Sequence, residues 1–180
     1  QAPGTSLFST SVSINVERAP LSTFGFTVQP VSSVQAGAQI DGIQVQAQDS
    51  VGNAYTEFAD DITLSLVPDE TLQGITVATP VSGSATFNDL VIEKAGTYRF
   101  AASGGGIEAG ESNEFVVNPG PPTKLVFTRV VTHTFLNAPL SPLDTVIVQV
   151  QDDLGNRVTS APNFVTFAFG DNPGGATLSG

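Results

Sequence analysis

Seventeen acidic side chains stand against one histidine and no cysteine, so the chemistry open to this sequence is mostly carboxylate chemistry. Asp49, Asp60, Asp61, Asp152 and Asp153 fall beside predicted loops, and carboxylates with neighbouring carbonyl oxygens are what calcium takes. Their spacing is not that of the D-x-[DN]-x-[DN]-G calcium loop. Calcium is the only cofactor these residues leave open, and its natural place would be a joint between neighbouring units. Catalysis finds less. His133, in "VVTHTFLNAP", has no serine elbow of the G-x-S-x-G type to act on, and the acids sit beside turn residues, where they would face solvent. No catalytic residue is assigned and no enzymatic activity is expected. "SGGGIEAGES" (Ser103 to Ser112) lacks a following helix and a Lys-Ser/Thr pair, so it reads as a hairpin connection and not as a phosphate cradle.

The elements that hold the acids are written twice. "VQAQDSVGNAYT", from Val45, returns as "VQVQDDLGNRVT", from Val148, and setting Gly155 against Gly52 gives an offset of 103 residues, the size of a small β domain. Within each copy the residue types specify a turn. Asp49 can accept a hydrogen bond from backbone two residues on, Gly52 can take positive φ, and Asn53 tolerates a left-handed or capping geometry. Asp152, Gly155 and Asn156 repeat the set. Asp60 does not repeat, because its counterpart is Asn163.

The duplication extends along the chain. "DITLSL" (Asp61 to Leu66) maps onto "FVTFAF" (Phe164 to Phe169), and "FGFTVQP" maps onto "LVFTRVV" at an offset of 101. At that same offset "SVSINVERAP" (Ser11 to Pro20) is similar to "SNEFVVNPGP" (Ser112 to Pro121). The organisation follows: residues 1–20 are the last strand of a preceding repeat or a donor strand, 21–118 a complete repeat, 119–124 a Pro-rich linker, and 125–180 a partial repeat that stops near the equivalent of Val77. With no methionine, the sequence reads as a piece excised from something longer.

Alternation supplies the strands. Ile43, Val45 and Ala47 point one way and Gln44, Gln46 and Gln48 the other, and Ile62, Leu64 and Leu66 alternate with Thr63 and Ser65. Further strands are expected at Phe24 to Val28, Ala85 to Phe87, Leu90 to Ile92, Thr97 to Ala102 and Glu114 to Val117. About seven short strands separated by turn residues make an all-β chain of tandem immunoglobulin-like β-sandwiches, one complete and one or two partial. The expected core of the complete repeat is Phe26, Ile43, Val45, Ile62, Leu64, Phe87, Ile92, Phe100 and Phe115. The partial repeat lacks the strands that would cover Val146, Val148, Val150, Val165, Phe167 and Phe169, a defect that head-to-tail joining of chains would repair. Val12, Ile14 and Val16 form the apolar face of an assembly strand whose other face carries Ser11, Ser13 and Asn15.

Charge limits the partners. A net charge of −11 without a Lys/Arg run argues against nucleic acid and against anionic lipid. No apolar stretch approaches the roughly 18 to 20 residues that a membrane helix needs, so no membrane insertion is expected of this segment.

"LVFTRVV", "VIVQVQDDLGNRVTSAPNFVTFAFGDNPGGATLSG" and "ATFNDLVIEKAGTYRFAAS" together resemble the tandem bacterial immunoglobulin-like repeats, of the invasin and intimin type, of large exported surface proteins. The resemblance implies a sandwich fold and an extracellular or cell-surface location, and it carries over no catalytic residue. The first junction, "NVERAPLSTFGF", departs from the small-residue linker usual in that family.

Three functions fit such a chain. The first is a structural stalk or fibre, in which each repeat touches mainly its neighbours. The second is a filament subunit, with identical chains joined head to tail by strand donation. The third is an adhesin module gripping a glycan or receptor through loops such as "PDETLQG" (Pro68 to Gly74).

Overall fold

The computed structural model describes residues 13, 17–130, 145–161, 164–171, 175 and 177. Among them there are thirteen strands and no helix, so the chain is all-β. Val12, Ile14, Val16 and His133 lie outside the described residues. The strands fall in two compact units.

The first unit comprises the described residues of Gln1–Ser32, Gln39–Val91 and Thr97–Phe115. Its centre is β4 (Ile43–Asp49), where side chains alternate between buried and half-buried along the whole strand. β-Branched Ile43 and Val45 suit a pleated surface, and period-two alternation sends them and Ala47 to the same face. β4 is flanked antiparallel by β1 (Leu21–Val28) and β7 (Ser84–Phe87), with Phe24 opposite Ala47 and Phe87 opposite Ile43. A second sheet sets β9 (Gly96–Ser103) against β5 (Ile62–Val67), and β5 against β6 (Val77–Ala78). β10 (Gly110–Glu111) pairs with the other side of β9, and a small ladder joins β3 (Gln39–Ile40) to β8 (Leu90–Val91). Ile62, Leu64, Leu66, Tyr98, Phe100 and Ala102 are all buried, as the alternation of β5 and β9 requires. The Phe100 ring stacks on Phe115 with centroids 4.9 Å apart, a geometry worth about 0.5–1.5 kcal/mol beyond the area it buries.

Glycine is required where backbones meet. Gly83 has positive φ, and a side chain there would run into the Tyr55 carbonyl.

The expected core is correct in eight of its nine positions, and the exception is Phe26, which is half-buried. Phe24 takes the buried place, 3% exposed, with its ring edge-on to Phe58 at 5.4 Å. Both phenylalanines have the same parity on an edge strand. The ladder to β4 shifts register between Phe26 and Val28, so cover is complete at Phe24 and falls away beyond it.

The second unit comprises the described residues of Ser33–Ala38, Ile92–Gly96 and Val116–Gly180. Here β11 (Phe115–Asn118), which enters from the first unit at Phe115, runs parallel to β2 (Ser33–Gln35), with Val117 opposite Val34. β12 (Lys124–Arg129) and β13 (Ile147–Gln151) form an antiparallel pair, with Phe127 opposite Val148. Val117, Ile92 and Val158 are buried.

The apolar residues expected to lack covering strands are indeed incompletely covered. Val148, Val150 and Val165 are half-buried, and 164–169 is not a strand. Phe164 is 98% exposed, and Phe167 and Phe169 are also exposed. The cause is pairing. β5, which 164–169 resembles in sequence, lies between β6 and β9, whereas no strand among the described residues pairs with 164–169. A lone extended segment has no ladder to satisfy its backbone.

Phe24→Ala should cost about 3–5 kcal/mol, the range for a buried phenylalanine, and Phe26→Ala well under that. Urea denaturation of the two variants checks the assignment through the midpoint at constant slope. Equal losses would contradict the register of β1 on β4.

Candidate functional site

The two duplicated turns close β4 and β13, and the same residues build both. Asp49 is the last inward-facing residue of β4 and is 2% exposed. Its Oδ1 accepts from the Val51 N–H at 3.0 Å and the Asn53 N–H at 2.8 Å, and its Oδ2 accepts from Asn53 Nδ2 at 3.0 Å. Backbone bonds from Gly52 N to Asp49 O and from Asp49 N to Asn53 O close the loop, with Gly52 at φ +87. Asp152, 1% exposed, does the same with Asn156, and Gly155 sits at φ +92.

The sequence reading is therefore right about the acceptor role of the aspartates and the positive φ of the glycines. The asparagines take the capping geometry and not the left-handed one, because the positive-φ non-glycine residues among those described are Ser82 and Asp89.

The copies differ in what the asparagine touches. Asn53 is exposed, and its side-chain bond goes to Asp49 alone among the described residues. Asn156 is half-buried: its Oδ1 accepts from the Ala95 N–H at 2.8 Å, and its Nδ2 donates to the Glu93 carbonyl at 2.7 Å. Asp152 Oδ2 also accepts from the Gly120 N–H at 2.7 Å, and Lys124 Nζ donates to the Asp153 carbonyl at 3.1 Å. The second turn thus holds both the loop ahead of β9 and the Pro-rich linker, all inside the second unit. Sequence reasoning missed Glu93, Ala95 and Gly120. They act through backbone groups, which residue types do not reveal.

Both aspartates are held below the ordinary carboxylate range. Burial by itself would raise the pKa of Asp49, but the Asn53 backbone and amide donors, the Val51 N–H and the Arg18 guanidinium outweigh it. For Asp152 burial acts in the same upward sense and is outweighed by the Asn156 amide and by the backbone donors of Gly120, Asn156 and Leu154. Arg18 also lies over the Tyr55 ring, 4.9 Å from its centroid.

Of the remaining calcium candidates, Asp153 lies within the second turn, and Asp60 and Asp61 lie outside both turns. Asp61 accepts from the Thr79 hydroxyl at 2.6 Å, and Asp60 and Asp153 are exposed. Among the described residues no three acidic or histidine side chains converge where a metal ion could sit. Among them, too, no helix is long and apolar enough to cross a membrane.

Compared with known proteins, the chain matches no family model, and no curated protein matches it significantly.

A carboxylate with a lowered folded pKa contributes stability that is present above its unfolded value, about 3.9, and lost as the pH falls through the folded value. The melting temperature should therefore hold from about pH 7 to about pH 5 and drop below about pH 4. Asp49→Asn should lower it at neutral pH and flatten the acid limb, as circular dichroism melts would record. An unchanged acid limb would mean that Asp49 does not set it. Gly52→Ala should cost about 1–2 kcal/mol through φ alone, since no atom stands within 4 Å of the added methyl.

Proposed function

We propose that the chain is a load-bearing segment of an extracellular bacterial surface protein, in which immunoglobulin-like sandwiches follow one another in a stalk or fibre. One observation carries the reading. The duplicated turn, in its second copy, bonds to the loop of the first repeat at Glu93 and Ala95 and to the linker at Gly120, so consecutive repeats are joined by directional bonds as well as by chain. The linker is itself held at both ends, by Gly120 and by the bond from Thr123 N to Gln151 O.

Strand order supports the same reading. β2, near the start of the complete repeat, lies parallel to β11, at its end. Tension applied through the chain ends pulls such a pair along its length, so its hydrogen bonds are loaded together and not one after another. That arrangement suits a part that must not extend. No active site is needed for it, and the acidic surface, with a net charge of −11, keeps such chains apart in solution.

A second reading, head-to-tail strand donation between identical chains, draws on β13. Among the described residues β12 is the only strand that pairs with β13, the rest of its backbone being met only by the return of its own turn at Arg157 and Val158, and Phe127 on β12 is 58% exposed. Sedimentation at rising concentration separates the two readings, because donation requires growing polymers and a stalk segment does not.

Pulled by its ends in a force spectrometer, the chain should resist and then rupture in one event for the complete repeat. The roughly 98 residues from Leu21 to Asn118, at about 3.3–3.6 Å each, would release roughly 320–350 Å of contour before the folded length is subtracted. Smooth extension without a rupture would overturn the load-bearing role.

A further inference from the structure

The first duplicated turn is built like the second and carries fewer bonds among the described residues. Asn156 spends both ends of its amide on the Glu93–Ala95 loop, whereas the side-chain oxygen of Asn53 receives no hydrogen bond among the described residues. Asp152 Oδ2 takes the Gly120 N–H as well as the Asn156 amide, whereas Asp49, with the Arg18 guanidinium near it, has the Asn53 amide alone on its Oδ2 among the described residues. An apolar position travels with the polar ones. Leu154 sits over Gly37, where an added methyl would meet its Cδ1 at 3.0 Å. Its counterpart, Val51, is 73% exposed against 44% for Leu154. Three properties of one turn, an amide oxygen with no bond among the described residues, spare carboxylate capacity and a largely exposed aliphatic side chain, are therefore answered in the second copy, where the Glu93–Ala95 loop, Gly120 and Gly37 lie beside the turn.

We infer that the turn Asp49–Asn53 is a docking surface, and that its occupant is the Glu93–Gly96 loop of another copy of this repeat placed ahead of it in the chain. The inference rests on the tandem reading and gives it a specific joint. Asn53 accepts from the Ala95 N–H of the preceding repeat and donates to its Glu93 carbonyl. Asp49 takes the N–H at the linker position of Gly120, and Val51 covers Gly37. The recognition is mostly of backbone, so what the occupant must supply is a loop of the right path followed by a glycine in the linker. A docked turn fixes both the angle and the rotation between successive repeats, since its bonds point at two separate segments, the loop and the linker.

The test uses the whole chain with a second copy of residues 21–121 inserted between Pro20 and Leu21, which recreates the Pro-rich junction ahead of Asp49. Segmental labelling separates the copies, and the readout is hydrogen exchange at each Ala95 amide. In the unmodified chain, Asn156→Ala should speed Ala95 exchange by roughly five- to tenfold, the size of one net hydrogen bond. In the lengthened chain the inserted copy's Ala95 should be protected to the same degree. That protection should be lost with Asn53→Ala in the copy that follows, and also with Val51→Asp, a change at an exposed position that leaves the fold intact by its melting curve. Exchange in the inserted copy as fast as in Asn156→Ala, or protection indifferent to both variants, would overturn the inference. The outcome is separable from the load-bearing reading: Ala95 protected in a chain that extends without rupture keeps the joint and removes the stalk, and the reverse pair of results does the opposite.

Discussion

A carboxylate buried at the end of a core strand has to find hydrogen bonds for its oxygens, and much of this molecule follows from how Asp49 and Asp152 do so. The alternation that buries Ile43, Val45 and Ala47 also turns Asp49 inward. An unpaired charge there would oppose folding, so the chain must bend back at once and offer N–H groups. That bend needs a residue at positive φ, which is Gly52, and a side chain able to donate to the second oxygen, which is Asn53. No buried side-chain polar atom among the described residues is left without a partner, which is the outcome the turn secures.

The same requirement, met slightly differently in the second copy, turns a local bend into a connection. Asp152 completes its set with the Gly120 N–H, so the linker is ordered by a group whose first obligation is to its own turn. Asn156 gains a role because an amide that already donates to the aspartate has a second hydrogen and an oxygen to spare. Proline supplies the rest by removing freedom from the linker backbone before any bond forms. The Asn156 amide and the bonds at Gly120 and Thr123 thus hold the Glu93–Ala95 loop and the linker beside the turn.

Sheet edges explain the contrast within the chain. In the first unit β4, β5 and β9 each have partners on both sides, and their inward faces are closed. In the second unit β12 and β13 pair with each other, and Leu125 and Phe127 stay exposed. The residue types are similarly apolar in the two places. Burial follows from what lies opposite, and an apolar side chain cannot be buried by its own strand.

The sequence by itself determined the class and the local devices. Period-two alternation identified β4 and β5 and put Ile43, Val45, Ile62 and Leu64 inside, because the two faces of a strand are set by covalent geometry. The duplicated Asp-x-x-Gly-Asn turn was equally legible, since its needs are met within five residues. Tertiary structure decided the rest. Alternation gives Phe24 and Phe26 the same face, but Phe24 is buried against Phe58 whereas Phe26, next to the register shift of β1 on β4, is half-buried. Similarity between "DITLSL" and "FVTFAF" could not make 164–169 a strand, because a strand is defined by neighbours that come from elsewhere. Asn53 and Asn156 are one residue type in one motif, and what distinguishes them is a loop some sixty positions away along the chain, brought within 3 Å of one and not of the other.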